Sequence, residues 1–109
     1  MQSDYYEQDG HLIVSVSGKL DTIHAPEFLK VLEPLLQKKT PSCLLDLSEV
    51  GFLSSSGLQV LLSAAKISKQ NGTKFAVFGM QEMVNEVFEM SGFNHFIQTF
   101  TCKEDALAA

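Results

Sequence analysis

Hydrophobic residues along this chain change their period several times. From His11 to Ser17 they alternate with polar ones, and Leu12, Val14 and Val16 share one side, the two-residue repeat of a half-buried strand. Asp9-Gly10 just before it is a hairpin turn signal. It lets the segment from about Asp4 to Gln8, with Tyr5 and Tyr6, pair back as an edge strand. Gly18 to Thr22 reads as a loop carrying Asp21. The period then becomes helical: Ala25-Pro26-Glu27 gives an entry with an early proline and an acid in the first turn, and Phe28, Leu29, Leu32, Leu35 and Leu36 follow at helical spacing. Pro34 lies inside that pattern and predicts a kink or an earlier end. Lys38-Lys39-Thr40-Pro41 closes the segment.

The apolar run from Ser42 to Leu47 predicts a buried strand. It leads through Ser48-Glu49-Val50-Gly51-Phe52-Leu53 to Ser54-Ser55-Ser56-Gly57 and a second amphipathic helix. That helix should begin near Ser55 or Ser56 and stop at Asn71-Gly72, with Leu58, Leu61, Leu62, Ala65 and Ile67 forming most of its buried stripe. Lys74 to Phe78 reads as a short strand. Gln81 to Met90 reads as a helix, with Val84, Val87 and Phe88 on one face and a stop at Ser91-Gly92. Phe96 to Phe100 reads as a last strand. Thr101-Cys102-Lys103-Glu104 fits a capping box before a short terminal helix. Strands alternating with helices after an initial hairpin predict an α/β fold, a mixed sheet of four to five strands with about four helices, in one domain over residues 1–109. Phe93 and Phe96 are expected to pack in the core, with partner contacts as the alternative if they are exposed.

Composition narrows the function. With 109 residues, 45% of them apolar, the chain is long enough to bury a core without staples. Thirteen acidic against eight basic residues give a net charge of -5. The only local basic pair is Lys38-Lys39, so no nucleic acid is expected as a partner. No apolar segment approaches the length of a membrane span, and Met1-Gln2-Ser3-Asp4 does not read as a signal peptide. Direct membrane insertion is not expected, and the cytoplasm is the default location. Cys43 and Cys102 suggest no disulfide framework, and Cys43 reads as a small buried hydrophobe. His11, His24 and His95 lack metal-ligand spacing, so neither a metal nor a cofactor is expected.

The chemistry therefore concentrates on the serines. Hydroxyls at a helix start lie beside backbone N–H groups that lack partners, where the helix dipole favours negative charge. That setting suits a plain N-cap at Ser55 or Ser56, and equally a phosphate site. A half-match to the nucleophile elbow G-x-S-x-G exists with Ser55 as nucleophile and His95 with Asp46 or Glu86 as partners, but Leu53 occupies the first glycine position and no acid stands in the Ser…Asp/Glu…His order with a convincing context.

Leu45-Asp46-Leu47-Ser48-Glu49-Val50, then Phe52-Leu53 and Ser55-Ser56-Gly57-Leu58, resemble the signature of STAS domains, and more narrowly of bacterial anti-sigma factor antagonists. Gly18-Lys19-Leu20-Asp21, Ala25 to Leu36, Phe75 to Gly79 and Met90-Ser91-Gly92-Phe93 resemble further parts of the same family. The resemblance implies the STAS fold and a non-enzymatic regulator. Its unphosphorylated form binds an anti-sigma factor that is also a serine kinase, which frees the sigma factor; phosphorylation ends the binding and a PP2C-type phosphatase restores it. By position, the resemblance puts the phosphorylated residue at Ser56, with Ser55 as runner-up. It puts partner contacts at Asp21, Ser54, Ser55, Ser56, Gly57 and Leu58, with Asp46 as a supporting acid. Asp21 and Asp46 equally suit plain turn and strand-end acceptors. Many members carry Asp where this chain has Ser54, so a charge is missing here. The alternative within the same fold is a STAS docking subunit of a transporter or signalling scaffold.

Overall fold

The structure is a computed structural model that describes residues 1–109. Five strands form a single sheet in the order β1-β2-β3-β4-β5: β1 (Gln2–Gln8), β2 (His11–Leu20), β3 (Ser42–Leu53), β4 (Lys74–Phe78) and β5 (Gln98–Phe100). β1 runs antiparallel to β2, and every later pairing is parallel. Helices α1 (His24–Leu36), α2 (Ser55–Gln70) and α3 (Glu82–Met90) each connect one parallel strand to the next. Because the order advances by one strand at each step and such crossovers are right-handed, all three fall on the same face. The main core of 21 buried residues lies there, built from one side of β2 and β3 with Phe28, Leu32, Leu61, Ala64, Val84 and Phe88 from the helices. The six-residue α4 (Lys103–Ala108) covers the other face, where Ala106 meets Ile13, Leu44, Ala76 and Phe78.

Two strands outrun the sequence pattern. β2 continues past Ser17 to Leu20, and β3 continues past Leu47 to Leu53, with register shifts after Ser15 and Gly18 that keep them paired. Val50, Leu53 and Leu20 are buried on the helix side, while Ser48, Glu49, Gly51 and Phe52 are exposed. Those outward residues interrupt the apolar run and hide the extension. α1 passes through Pro34 to Leu36. Pro34 is exposed in the last turn, so the helix forfeits one solvent-side ladder bond instead of ending early. The expected capping box at Thr101 does not form: the N-cap of α4 is Cys102, without a side-chain cap bond. Phe93–His95 make a 3-10 turn, so β5 starts at Gln98 and Phe96 lies outside it.

α2 is rotated from its expected stripe. Its buried residues are Gly57, Val60, Leu61, Ala64 and Ser68, whereas Leu58, Leu62, Ala65 and Ile67 are half-buried. Ser68 is fully enclosed and its hydroxyl has no hydrogen-bond partner. An unmade bond of this kind costs about 1–3 kcal/mol, and alanine is also the better helix former. Ser68→Ala is therefore expected to stabilise the protein by about 1 kcal/mol, raising the thermal midpoint by roughly 4–8 °C in calorimetry.

Candidate functional site

The C-terminal ends of β2 and β3 and the N-terminus of α2 converge at one end of the sheet. Ser54 joins them. Its backbone is extended (φ -85°, ψ 174°), and both its N–H and its hydroxyl donate to the carbonyl of Leu20, at 3.0 and 2.8 Å. The same hydroxyl oxygen accepts from the N–H of Gly57 at 3.1 Å, which makes Ser54 the N-cap. Neither Ser55 nor Ser56 fills the capping role expected of them. Ser54→Ala removes two side-chain hydrogen bonds at once and is expected to cost about 1–2 kcal/mol, read as a lower denaturant midpoint at unchanged slope.

With the cap supplied by Ser54, the next two hydroxyls are spare. Ser55 is exposed and Ser56 half-buried, and no side-chain hydrogen bond engages either. Both occupy the first turn, where backbone N–H groups point out of the helix. α1, α3 and α4 carry Glu27, Glu82, and Glu104 with Asp105 in their first turns; α2 carries no acid there. The missing charge at Ser54 leaves the fold intact, because serine and aspartate cap about equally well. It also leaves the positive end of the α2 dipole uncompensated.

Gly57 is buried because the helix start sits directly on the strand ends. A Cβ there would lie 2.6 Å from Leu53 Cδ1 and 2.8 Å from the carbonyl oxygen of Leu20. Leu58 is half-buried against the core. Asp21 follows Leu20 and so stands beside this junction. Its carboxylate accepts from the N–H groups of His24 (2.8 Å) and Ile23 (3.1 Å) and pairs with His24 Nδ1 at 2.8 Å, closing the start of α1. The backbone N–H of His24 is the main reason its pKa is lowered, with the His24 side chain adding to it. A carboxyl held below its unfolded value contributes stability above that value and loses it as pH falls through the folded one. Asp21→Asn is therefore expected to flatten the loss of stability below about pH 4, with little change near neutrality beyond the lost pair, in urea titrations across pH.

Asp46 does not join the site. Its carboxylate accepts from Ser48 N–H at 2.9 Å, and it pairs in register with Phe78. Phe78 belongs to the α4-side cluster, so Asp46 lies on the sheet face opposite α2. The expected supporting acid is a local strand acceptor. Instead, the structure supplies exposed apolar residues near the serines that the sequence reading passed over. Ile23 is 72% exposed, and Phe52 is exposed as well. Ile23 precedes α1 and Phe52 lies two residues before Ser54. The two adjacent outward positions Gly51-Phe52 were the one available signal, a break in strand alternation.

A serine nucleophile needs a base within hydrogen-bond reach, and no histidine or carboxylate bonds Ser55 or Ser56: His24 is on Asp21, and His11 Nδ1 is 2.8 Å from Ser42 Oγ. No three metal-ligating side chains cluster. No helix is long and apolar enough to cross a membrane. Burial pushes the Cys43 thiol up to about 12, which makes it unreactive. Phe93 does pack against the core, edge-on to Phe88, but Phe96 is 76% exposed, contrary to expectation, because the 3-10 turn directs it outward.

The sequence model of the STAS domain matches residues 2–106. The chain belongs to the STAS domain family. It is homologous to bacterial anti-sigma factor antagonists: an anti-sigma-B factor antagonist of Listeria monocytogenes is 30% identical over 88 residues, covering 81% of this STAS domain and 77% of the relative. A crystal structure of an anti-sigma factor antagonist from Mycobacterium paratuberculosis superposes with a TM-score of 0.90 at 25% identity, covering 98% and 91% of the two chains. SpoIIAA shares the fold at 15% identity in both its unphosphorylated form (TM-score 0.79, covering 97% and 93%) and, from Bacillus, its phosphorylated form (TM-score 0.72, covering 98% and 97%).

Proposed function

We propose that this STAS domain is a cytoplasmic, non-enzymatic anti-sigma factor antagonist switched by phosphorylation. The unphosphorylated protein docks on an anti-sigma factor that is also a serine kinase, through Asp21 and Ser54–Leu58, and the sigma factor is released. Phosphate on Ser56 ends the docking, and a PP2C-type phosphatase removes it. One observation carries the reading: Ser54 satisfies the helix cap, so the Ser56 hydroxyl is left unpartnered at a helix mouth that holds no acid. The homologous antagonists support it, as does a fold neighbour solved in both phosphorylation states.

The energetics fit a switch that needs no refolding. A phosphoserine brings about -1.5 to -2 charges, and the α2 dipole offsets part of that by roughly 0.3–1 kcal/mol. The domain therefore accommodates the modification at its own surface. A partner that has buried Ile23 and Phe52 around a neutral hydroxyl faces an unpaired, desolvated charge costing several kcal/mol. Each 1.4 kcal/mol is about tenfold in affinity.

Incubation with the cognate anti-sigma factor kinase and ATP, followed by peptide mass spectrometry, tests the assignment. One phosphate on Ser56 is expected, retained in Ser55→Ala and lost in Ser56→Ala. Modification that persists in the double variant, or co-purification with a membrane transporter in place of the kinase, would overturn it.

A further inference from the structure

A second concavity lies along the C-terminal half of α2, far along that helix from the serines. It is an open groove of about 580 Å³, within the range of small-molecule sites. Leu62, Ala65, Phe75, Phe93 and Phe96 supply its apolar lining. Lys66 and Lys69 stand at its edge, one helical turn apart, and none of the chain's thirteen acidic residues lines it. A protein of net charge -5 thus presents a groove whose only charges are positive.

Neither lysine is otherwise engaged. No lysine lies within salt-bridge distance of a carboxylate, and the lysines stacked on aromatic rings are Lys38 on Tyr5 and Lys103 on Tyr6. Like charges three residues apart on a helix repel, so an anion bridging Lys66 and Lys69 gains from both. Phe96 meanwhile exposes a large ring to water beside them, which an apolar body would cover. Thr73 contributes no free hydroxyl, since its Oγ1 donates to the carbonyl of Thr40 at 2.7 Å.

We infer that this groove is a binding site for a free amphiphilic carboxylate of medium chain length, with the acyl body against Phe93 and Phe96 and the head group between Lys66 and Lys69. The volume of the groove suits the body of a small molecule. The inference is independent of the phosphorylation switch.

The test is an amide and methyl NMR titration of the intact chain with decanoate below its micelle concentration, run beside its methyl ester and decyltrimethylammonium. Saturable shifts confined to Leu62–Lys69, Phe75 and Phe93–Phe96 are expected for decanoate. Affinity should fall at least tenfold in a Lys66→Gln, Lys69→Gln double variant and in Phe96→Ala, both surface changes whose thermal melts should match the parent. Equal binding of the ester or the cation would overturn the proposal, as would shifts elsewhere or none. Groove resonances that move on dilution, together with concentration-dependent sedimentation, would assign the surface to a second copy of the chain and equally overturn it.

Discussion

Gly57→Ala is expected to destabilise the protein by about 3 kcal/mol, at the upper end for overpacking, and to lower the thermal midpoint by roughly 12–24 °C. Helix propensity alone points the other way, since alanine within a helix is worth about 1 kcal/mol over glycine. The contacts decide the sign. The added methyl would meet Leu53 Cδ1 at 2.6 Å, the Leu20 carbonyl oxygen at 2.8 Å and Leu20 Cβ at 3.0 Å. The leucine tip can rotate, but the carbonyl cannot, because it already takes both donors of Ser54. To fit the methyl, α2 must lift off the strand ends, and the Ser54 clamp loosens with it. Calorimetry showing an unchanged or raised midpoint would mean that the close approach of α2 to Leu20 is misplaced.

Phe88→Ala should cost about 3–5 kcal/mol, a large part of the roughly 5–15 kcal/mol typical of a domain. α3 is only nine residues long and buries just Val84 and Phe88, so the substitution removes half of what anchors it. The ring is fully enclosed, which leaves a cavity that nearby side chains fill only in part. Phe93 also loses the edge-to-face partner at 6.5 Å, worth about 0.5–1.5 kcal/mol. Met90→Ala, two residues along the same helix at 87% exposure, should stay within about 0.5 kcal/mol. Denaturant unfolding of the pair separates burial from helix propensity; equal midpoints would place Phe88 outside the core.

Much of the fold was legible because the chain repeats a simple alternation of buried strand and amphipathic helix. What escaped depended on partners distant in sequence. Three consecutive serines are nearly equivalent as caps, and only the carbonyl of Leu20, 34 residues away, selects Ser54. That one-residue choice frees Ser55 and Ser56. The placement of Asp46 was obscured for a related reason: Cys43, Leu44 and Leu45 are all buried, with apolar cover on both sheet faces, so alternation there does not show which face holds the helices. The extension of β3 hid behind outward Ser48 and Glu49, and the exposure of Phe96 depends on a 3-10 turn that strand periodicity does not mark. Asp21 follows Leu20, and its carboxylate is occupied in starting α1.

The measurement closest to the central claim is the affinity of the anti-sigma factor for this protein before and after stoichiometric phosphorylation of Ser56, with an NMR spectrum of each form. Affinity is expected to be at least a hundredfold weaker after modification, about 2.8 kcal/mol at 1.4 kcal/mol per tenfold, with amide shifts limited to the start of α2 and its neighbours at Leu20 to His24. Equal affinity for the two forms, or binding lost only through a rearranged sheet and core, would contradict that claim.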